Sequence, residues 1–234
     1  MSVPLRANIS RGNPEKVFDL IEKVGGGTYG DVFKARVIST GELAAVKVVK
    51  VEPGKKSLIY DSSLIEIMST IPVLRRRDKL WIAMEFCGAG SAQDIYCVTG
   101  PCSEPQISFI SVETLKGLAY LHEKNLMHRD IKGANILLTA QGNIKALYYI
   151  GKRSFVPPTL KDKDKWSPEL HSFLKTALQK NPKKRPTADR LLTHPFCGHG
   201  YTRAVIQDLL DTYKRKKGDK GNIAGPGDDD DDED

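Results

Sequence analysis

A strand-rich beginning followed by a helical remainder predicts an α+β fold of two lobes, a small β-rich one and a helical one, meeting at a cleft. Two observations carry that expectation. Up to Phe86 the chain runs in short apolar segments divided by glycine clusters and turn residues, whereas from Ser103 apolar residues recur near one face at helical spacing behind capping hydroxyls. Strands and helices do not alternate, which argues against a doubly wound sheet.

Asp19–Val24 and Asp31–Val37 flank a glycine cluster, and Leu43–Lys50 follows the turn-forming Ser39-Thr40-Gly41, so three antiparallel strands are expected. Residues 57–70 hold Leu58, Ile59, Leu64, Ile65, Ile67 and Met68 at mixed spacing, an imperfect helix. Leu80–Phe86 has the texture of a buried strand, ended by Gly88-Ala89-Gly90. A helix starting at Ser103 carries Ile107, Ile110, Leu115, Leu118 and Leu121 on one face, with Ser103 and Gln106 at capping positions. Ser167-Pro168-Glu169 and Thr187 after Pro186 announce two more helices, and a last one covers about Arg203 to Lys217.

A chain of 234 residues, 40% hydrophobic and 28% charged, can bury a substantial core. No run approaches the roughly 18 apolar residues of a membrane span, and Met1–Arg11 lacks a signal-peptide core, so a cytoplasmic location is expected. Cys87, Cys97, Cys102 and Cys197 lack zinc-ligand spacing, which favours free thiols. The net charge of +7 hides a segregation, because the seven residues Asp228–Asp234 are all acidic. Residues 218–227 have linker composition, and Lys214-Arg215-Lys216-Lys217 closes the last helix in keeping with its dipole, or forms a basic patch. A nucleic-acid binder fits poorly, since no aromatic stacking platform accompanies the charge.

Three ordered motifs carry the chemistry. Gly25-Gly26-Gly27-Thr28-Tyr29-Gly30-Asp31-Val32 lies between two strands, where glycines let backbone amides approach phosphate oxygens and Val32 can pack on a base; alone, it could equally be a glycine-rich hairpin. Lys47, in Ala44-Ala45-Val46-Lys47, sits on a strand among apolar residues, where a buried ammonium calls for an anion; alone, it would be an edge lysine facing water. His128-Arg129-Asp130-Ile131-Lys132-Gly133-Ala134-Asn135 then packs a base, a cation and an oxygen ligand into one loop.

In this order the motifs resemble those of a serine/threonine protein kinase, of the mitogen-activated protein kinase kinase kinase kinase family of germinal-centre type. The likeness extends to Thr40–Ala45, Arg77–Ile82, His128–Leu138 and Asn181–Ala188. The resemblance implies ATP and Mg²⁺ as cofactors and protein Ser/Thr hydroxyls as substrates in MAP kinase cascade signalling. It implies Asp130 as base, Lys132 and Lys47 on phosphates, Glu66 as the partner of Lys47, and Asn135 on Mg²⁺. It places nucleotide contacts at Val24, Gly25, Gly26, Gly27, Thr28, Tyr29, Gly30, Asp31, Val32, Ala45 and Lys47. Met84 would be the gatekeeper, Glu85 and Cys87 the hinge, and Leu137 the floor under the base. The implied layout is an N-terminal segment 1–17, a kinase-like domain 18–196 (N-lobe 18–84, hinge 85–90, truncated C-lobe 91–196), a helix 197–217 and a linker with acidic tail 218–234.

Several departures bear on activity. Met68 to Leu80 looks too short to hold the family's fourth strand, so a strand is expected to be missing. Asn143-Ile144-Lys145 leads to Ala146-Leu147-Tyr148-Tyr149-Ile150, putting Tyr148 where the family's Asp-Phe-Gly has its metal-binding aspartate. A phenol is a poor ligand for hard Mg²⁺, so impaired transfer is expected. After Gly151 the chain passes to Ser154–Pro158, which resembles the stretch before the family's last helices, so activation loop and central helices are missing. Arg185 would thereby lose its glutamate partner, and the apolar faces of Ile107–Leu121 and Leu170–Leu178 would be uncovered. Two readings follow: a kinase of impaired activity, or a catalytically dead, kinase-derived binding module or truncated isoform.

Overall fold

The computed structural model describes residues 9–10, 12–27, 30–50, 73–128, 130–146, 160 and 162–221. These divide between Phe86 and Cys87 into two compact units. The expected helix over 57–70, with Glu66, lies outside the described residues, as do Thr28, Tyr29 and Tyr148.

The first unit is a sheet of six strands: β1 (Ile9–Ser10), β2 (Phe18–Gly27), β3 (Gly30–Val37), β4 (Leu43–Lys50), β5 (Val73–Arg76) and β6 (Lys79–Glu85), ordered β1-β5-β6-β4-β3-β2. β1 runs parallel to β5; every other pairing is antiparallel. The β3–β4 turn closes as expected at Gly41, whose φ of 75° suits glycine and whose N–H donates to the Val37 carbonyl at 2.7 Å. Alternation sends Ala35, Ala44, Val46, Leu74, Trp81 and Ala83 to one face, where they form the core with Phe18.

The fourth strand thought to be missing is present, as β5. Four residues suffice because the Arg77-Asp78 turn is tight, with Arg77 at φ 53°, and because Val73 and Leu74 pair with Ile82 and Trp81 and are both buried. Arg76 is held by an ion pair with Glu15, in the single-turn 3-10 helix Pro14–Lys16.

The second unit comprises the strand pairings of β7 (Gly90–Ser91), β8 (Ile136–Leu138) and β9 (Ile144–Ala146), with helices α1 (Ala92–Thr99), α2 (Glu104–Glu123), α3 (Pro168–Ala177), α4 (Ala188–Leu192) and α5 (Ala204–Gly221). Ser91 and Asp94 make a reciprocal capping box on α1, a helix the sequence reading did not anticipate. Ser167 caps α3, its Oγ accepting from the Leu170 N–H at 3.2 Å; Thr187 occupies the N-cap of α4 without a side-chain hydrogen bond. Cys97, Cys102 and Cys197 are free thiols.

Two clusters form its core. In one, Leu115 of α2, Leu170 and Phe173 of α3, Ala188 and Leu191 of α4, and Phe196 pack together, tied by a 2.7 Å hydrogen bond from the Ser108 hydroxyl to the Phe196 carbonyl. The faces of α2 and α3 expected to be uncovered are instead taken up in this one cluster, much of whose cover comes from α4 and Phe196 of the Pro195–Cys197 turn. In the other, Ile206, Leu209, Leu210 and Tyr213 of α5 pack on Ala89, Ile95, Leu138 and Ile144. Arg185 is exposed and its Nε and Nη2 both donate to the Gln179 carbonyl, at 3.0 and 2.7 Å, so no buried charge is stranded there.

Candidate functional site

In the first unit, sheet register gathers the candidate nucleotide residues. Val32 pairs with Lys47, Lys47 with Ile82, Ala45 with Met84, and Gly25 with Val32. Directly paired residues share a face, so Gly25, Val32, Ala45, Lys47 and Met84 line the face opposite the Val46–Trp81 core. Glu85 pairs with Ala44 and belongs to the other face; it can meet a ligand on the Lys47 side only through its backbone. Lys47 is partly buried, and loss of water pushes its pKa below the ordinary lysine value.

The glycine segment is shaped by the sheet itself. Gly30 has a φ of 126°, and a Cβ there would overlap the Val48 carbonyl oxygen and stand 3.0 Å from its carbon. At Gly26 a Cβ would come within 3.0 Å of Asp31 Oδ1 and of the Lys23 side chain. Those two side chains form a 2.7 Å ion pair across the β2–β3 hairpin, both ends about half exposed. Val24 is exposed, beside the bulge between Lys23 and Gly25.

The second unit holds the loop. After α2, Asn125 turns the chain with φ 56°, and Leu126 is buried with its N–H on the Leu121 carbonyl at 2.8 Å. His128 is only 3% exposed, and its Nδ1 accepts from the Asp130 N–H at 3.2 Å. Asn135, in the single-turn 3-10 helix Gly133–Asn135, donates its amide to the Asp130 carbonyl at 2.8 Å and to Asp130 Oδ2 at 2.9 Å. Lys132 Nζ stands 3.1 Å from the same Oδ2. Both donors crowd one oxygen, leaving Oδ1 outside these contacts. Leu137 is half-buried on β8, between Ser91 and Lys145.

The structure thus brings Asp130, Lys132 and Asn135 within direct contact and puts Gly25, Val32, Ala45, Lys47 and Met84 on one sheet face; Cys87 is the first residue of the second unit. The motif assigns His128 no role of its own, yet its place two residues before Asp130 is a signal: its ring anchors the Asp130 backbone N–H.

A donor set for Mg²⁺ can be tested on Asn135. Its amide nitrogen is committed to Asp130, so its carbonyl oxygen is the hard donor left over. No group of three His, Cys, Asp or Glu side chains suited to a metal occurs among the described residues, and Asp162 is engaged by Lys165 at 3.0 Å in an exposed turn. One amide oxygen fits a metal held chiefly by the phosphates of its ligand.

The fold and this loop define a protein kinase domain, and residues 18–149 match the family model described as protein kinase domain. The chain is 42% identical over 282 aligned positions to mitogen-activated protein kinase kinase kinase kinase 3 of Homo sapiens, and equally so to that of Rattus norvegicus, covering 87% of this chain and 32% of each relative. It is 30% identical to serine/threonine-protein kinase 4 homolog A of Dictyostelium discoideum, over 90% of this chain and 62% of that protein. The chain belongs to the protein kinase family, in its mitogen-activated protein kinase kinase kinase kinase branch. It spans about a third of the length of the mammalian relatives. The aligned stretch of 282 positions exceeds the 234 residues of the chain, so part of each relative faces a gap here.

Proposed function

We propose that this chain binds ATP with Mg²⁺ and transfers the γ-phosphoryl group to protein Ser/Thr hydroxyls in MAP kinase cascade signalling, at a rate reduced by the loss of the Asp-Phe-Gly aspartate. The observation that carries the reading is the contact of Lys132 and Asn135 with one oxygen of Asp130. Phosphoryl transfer asks the protein mainly for positioning and charge stabilisation, and this loop supplies both. With Oδ2 held, Oδ1 of Asp130 accepts the proton of the attacking hydroxyl. The hydroxyl oxygen bonds to the γ-phosphorus, the bond to the bridging oxygen breaks, and ADP carries away the electron pair. Lys132 neutralises charge on the moving group, and Lys47, to which the family resemblance assigns Glu66 as partner, holds the α- and β-phosphates. Asn135, together with phosphate oxygens of the nucleotide, would hold Mg²⁺, which would supply further charge neutralisation.

In the first unit the base packs against Val32, Ala45 and Met84, with the backbone of Glu85 at its edge; the family resemblance assigns Leu137 and Cys87 of the second unit to the same ligand. The glycine segment Val24 to Asp31, whose sequence includes Thr28 and Tyr29, covers the phosphates. In this reading residues 18–84 are the N-lobe, 85–90 the hinge, 91–196 a truncated C-lobe and 197–217 a C-terminal helix, working in the cytoplasm.

A second reading, a catalytically dead binding module, is favoured by Tyr148 alone. Loss of one preorganised electrostatic partner costs about 3–4 kcal/mol, hundreds of fold in rate. Transfer from γ-labelled ATP, measured in the wild type, Asp130→Asn and Tyr148→Asp, tests both. Weak transfer abolished by Asp130→Asn and raised by Tyr148→Asp supports the kinase. ATP binding without transfer in all three supports the binding module.

A further inference from the structure

Beside the cationic end of α5 the second unit holds a cleft of about 380 Å³. Its buried lining comes from Ala89, Leu210 and the Tyr213 ring, with Gly88 alongside; the exposed Lys214 and Lys217 stand at its mouth. Local partners answer little of this charge. Lys214 Nζ is 3.8 Å from the exposed Asp211, and Lys217 Nζ lies 5.6 Å from the centre of the Tyr213 ring. Lys216 reaches the Thr99 carbonyl at 3.5 Å.

The chain carries a matching polyanion. Asp228–Asp234 are seven consecutive acids, separated from the last residue of α5, Gly221, by six residues that include Gly225-Pro226-Gly227. A helix rises about 1.5 Å per residue, which sets Lys214 and Lys217 roughly 6–11 Å back from Gly221 along the axis. Seven steps with the coil statistics of a glycine-rich linker would span roughly 15 Å root-mean-square. A tether of about the length of its span holds its ends at millimolar effective concentration, whereas a binding partner in solution has only its own. Single exposed ion pairs are weak, so seven carboxylates facing clustered cations under such a tether is the arrangement in which weak contacts add to stable docking.

We propose that the acidic tail, residues 228–234, docks in cis on the Lys214 and Lys217 face of α5, beside the cleft at Gly88-Ala89. The tail then screens the basic run from other polyanions and is released by salt.

Zero-length carbodiimide cross-linking of the full chain at low micromolar concentration, read by peptide mass spectrometry, tests this. The expected result is amide links within one chain from Lys214 or Lys217 to tail carboxylates, lost in 0.5 M NaCl and in Lys214→Glu/Lys217→Glu. Links spread evenly over other exposed lysines, or links between two chains, would overturn it. In a second measurement, the peptide Asp-Asp-Asp-Asp-Asp-Glu-Asp is titrated onto the wild type and onto a full-length chain whose tail acids are amidated, Asp→Asn throughout with Glu233→Gln. The amidated chain should bind the peptide at least tenfold more tightly. Equal affinity, or no binding to either, refutes the docking.

Discussion

Gly30→Ala is the substitution the sheet should tolerate least. The residue begins β3 at φ 126°, a backbone region that side chains with a Cβ rarely adopt, which alone costs about 1–3 kcal/mol. The new methyl would also meet the Val48 carbonyl oxygen and stand 3.2 Å from Val49 Cα, and both are backbone atoms of β4 that cannot swing aside. Relief requires β3 and β4 to part at Asp31 and Val48, loosening a central pairing of the sheet. A total near 3 kcal/mol or more follows, equivalent to a fall of about 12–24 °C in Tm for a unit of this size. Two glycines act as rulers. Gly41→Ala meets nothing within 4 Å and bears only the strain of φ 75°, about 1 kcal/mol, and Gly25→Ala finds Val32 Cβ at an ordinary 3.8 Å. Thermal unfolding followed by circular dichroism should rank the losses Gly30→Ala, then Gly41→Ala, then Gly25→Ala. A Gly30→Ala midpoint within 3 °C of Gly41→Ala would mean that the Val48 approach does not govern this position.

Asp130→Asn should lower transfer by roughly 10²–10⁴-fold while leaving the thermal shift produced by ATP and Mg²⁺ intact; a lost shift would assign Asp130 to binding. Because phosphate favours the protonated form of Lys47, ATP affinity measured by calorimetry should fall as pH rises through its lowered pKa, and Lys47→Met should lose that pH dependence. Between that lowered value and 10.5 the unfolded chain holds more protons on this lysine than the folded one, so its contribution to stability grows with pH. Thr114 Oγ1 is buried without a hydrogen-bond partner among the described residues, so Thr114→Val should raise the unfolding free energy read from chemical denaturation, by up to about 1 kcal/mol. Leu210→Ala, at a fully buried position, should cost about 2–5 kcal/mol in the same assay.

Local signals carried much of this fold. The Gly41 turn and the alternation of Leu43–Lys50 were enough to set Val32 beside Lys47, and the Asp130–Asn135 contacts close within six residues. What stayed hidden depended on distant partners. Val73-Leu74 is too brief and too close to three arginines to announce a strand; it becomes one because β6 takes one side and β1 the other. The cover that α4 and Phe196 give to α2 and α3 could not be read from either helix, since each apolar face looks alike whichever surface meets it. The glycine motif was legible as a pattern, but the demand at Gly30 comes from Val48, eighteen residues on and invisible to a short motif.

The packing of α5 against Ala89 and Ile95 also sets a timetable for synthesis. In the first unit β2, β3 and β4 pair in sequence order and can do so soon after they leave the ribosome, whereas β1 and β4 wait for β5 and β6. The cluster around Leu138 waits for Ile206 to Tyr213, more than a hundred residues after Ala89. At about 5–20 residues per second, α1 and β8 spend some ten seconds with apolar side chains unmet. A nascent chain in that interval is a client for chaperones, and slower translation ahead of Ala204 would lengthen its exposure.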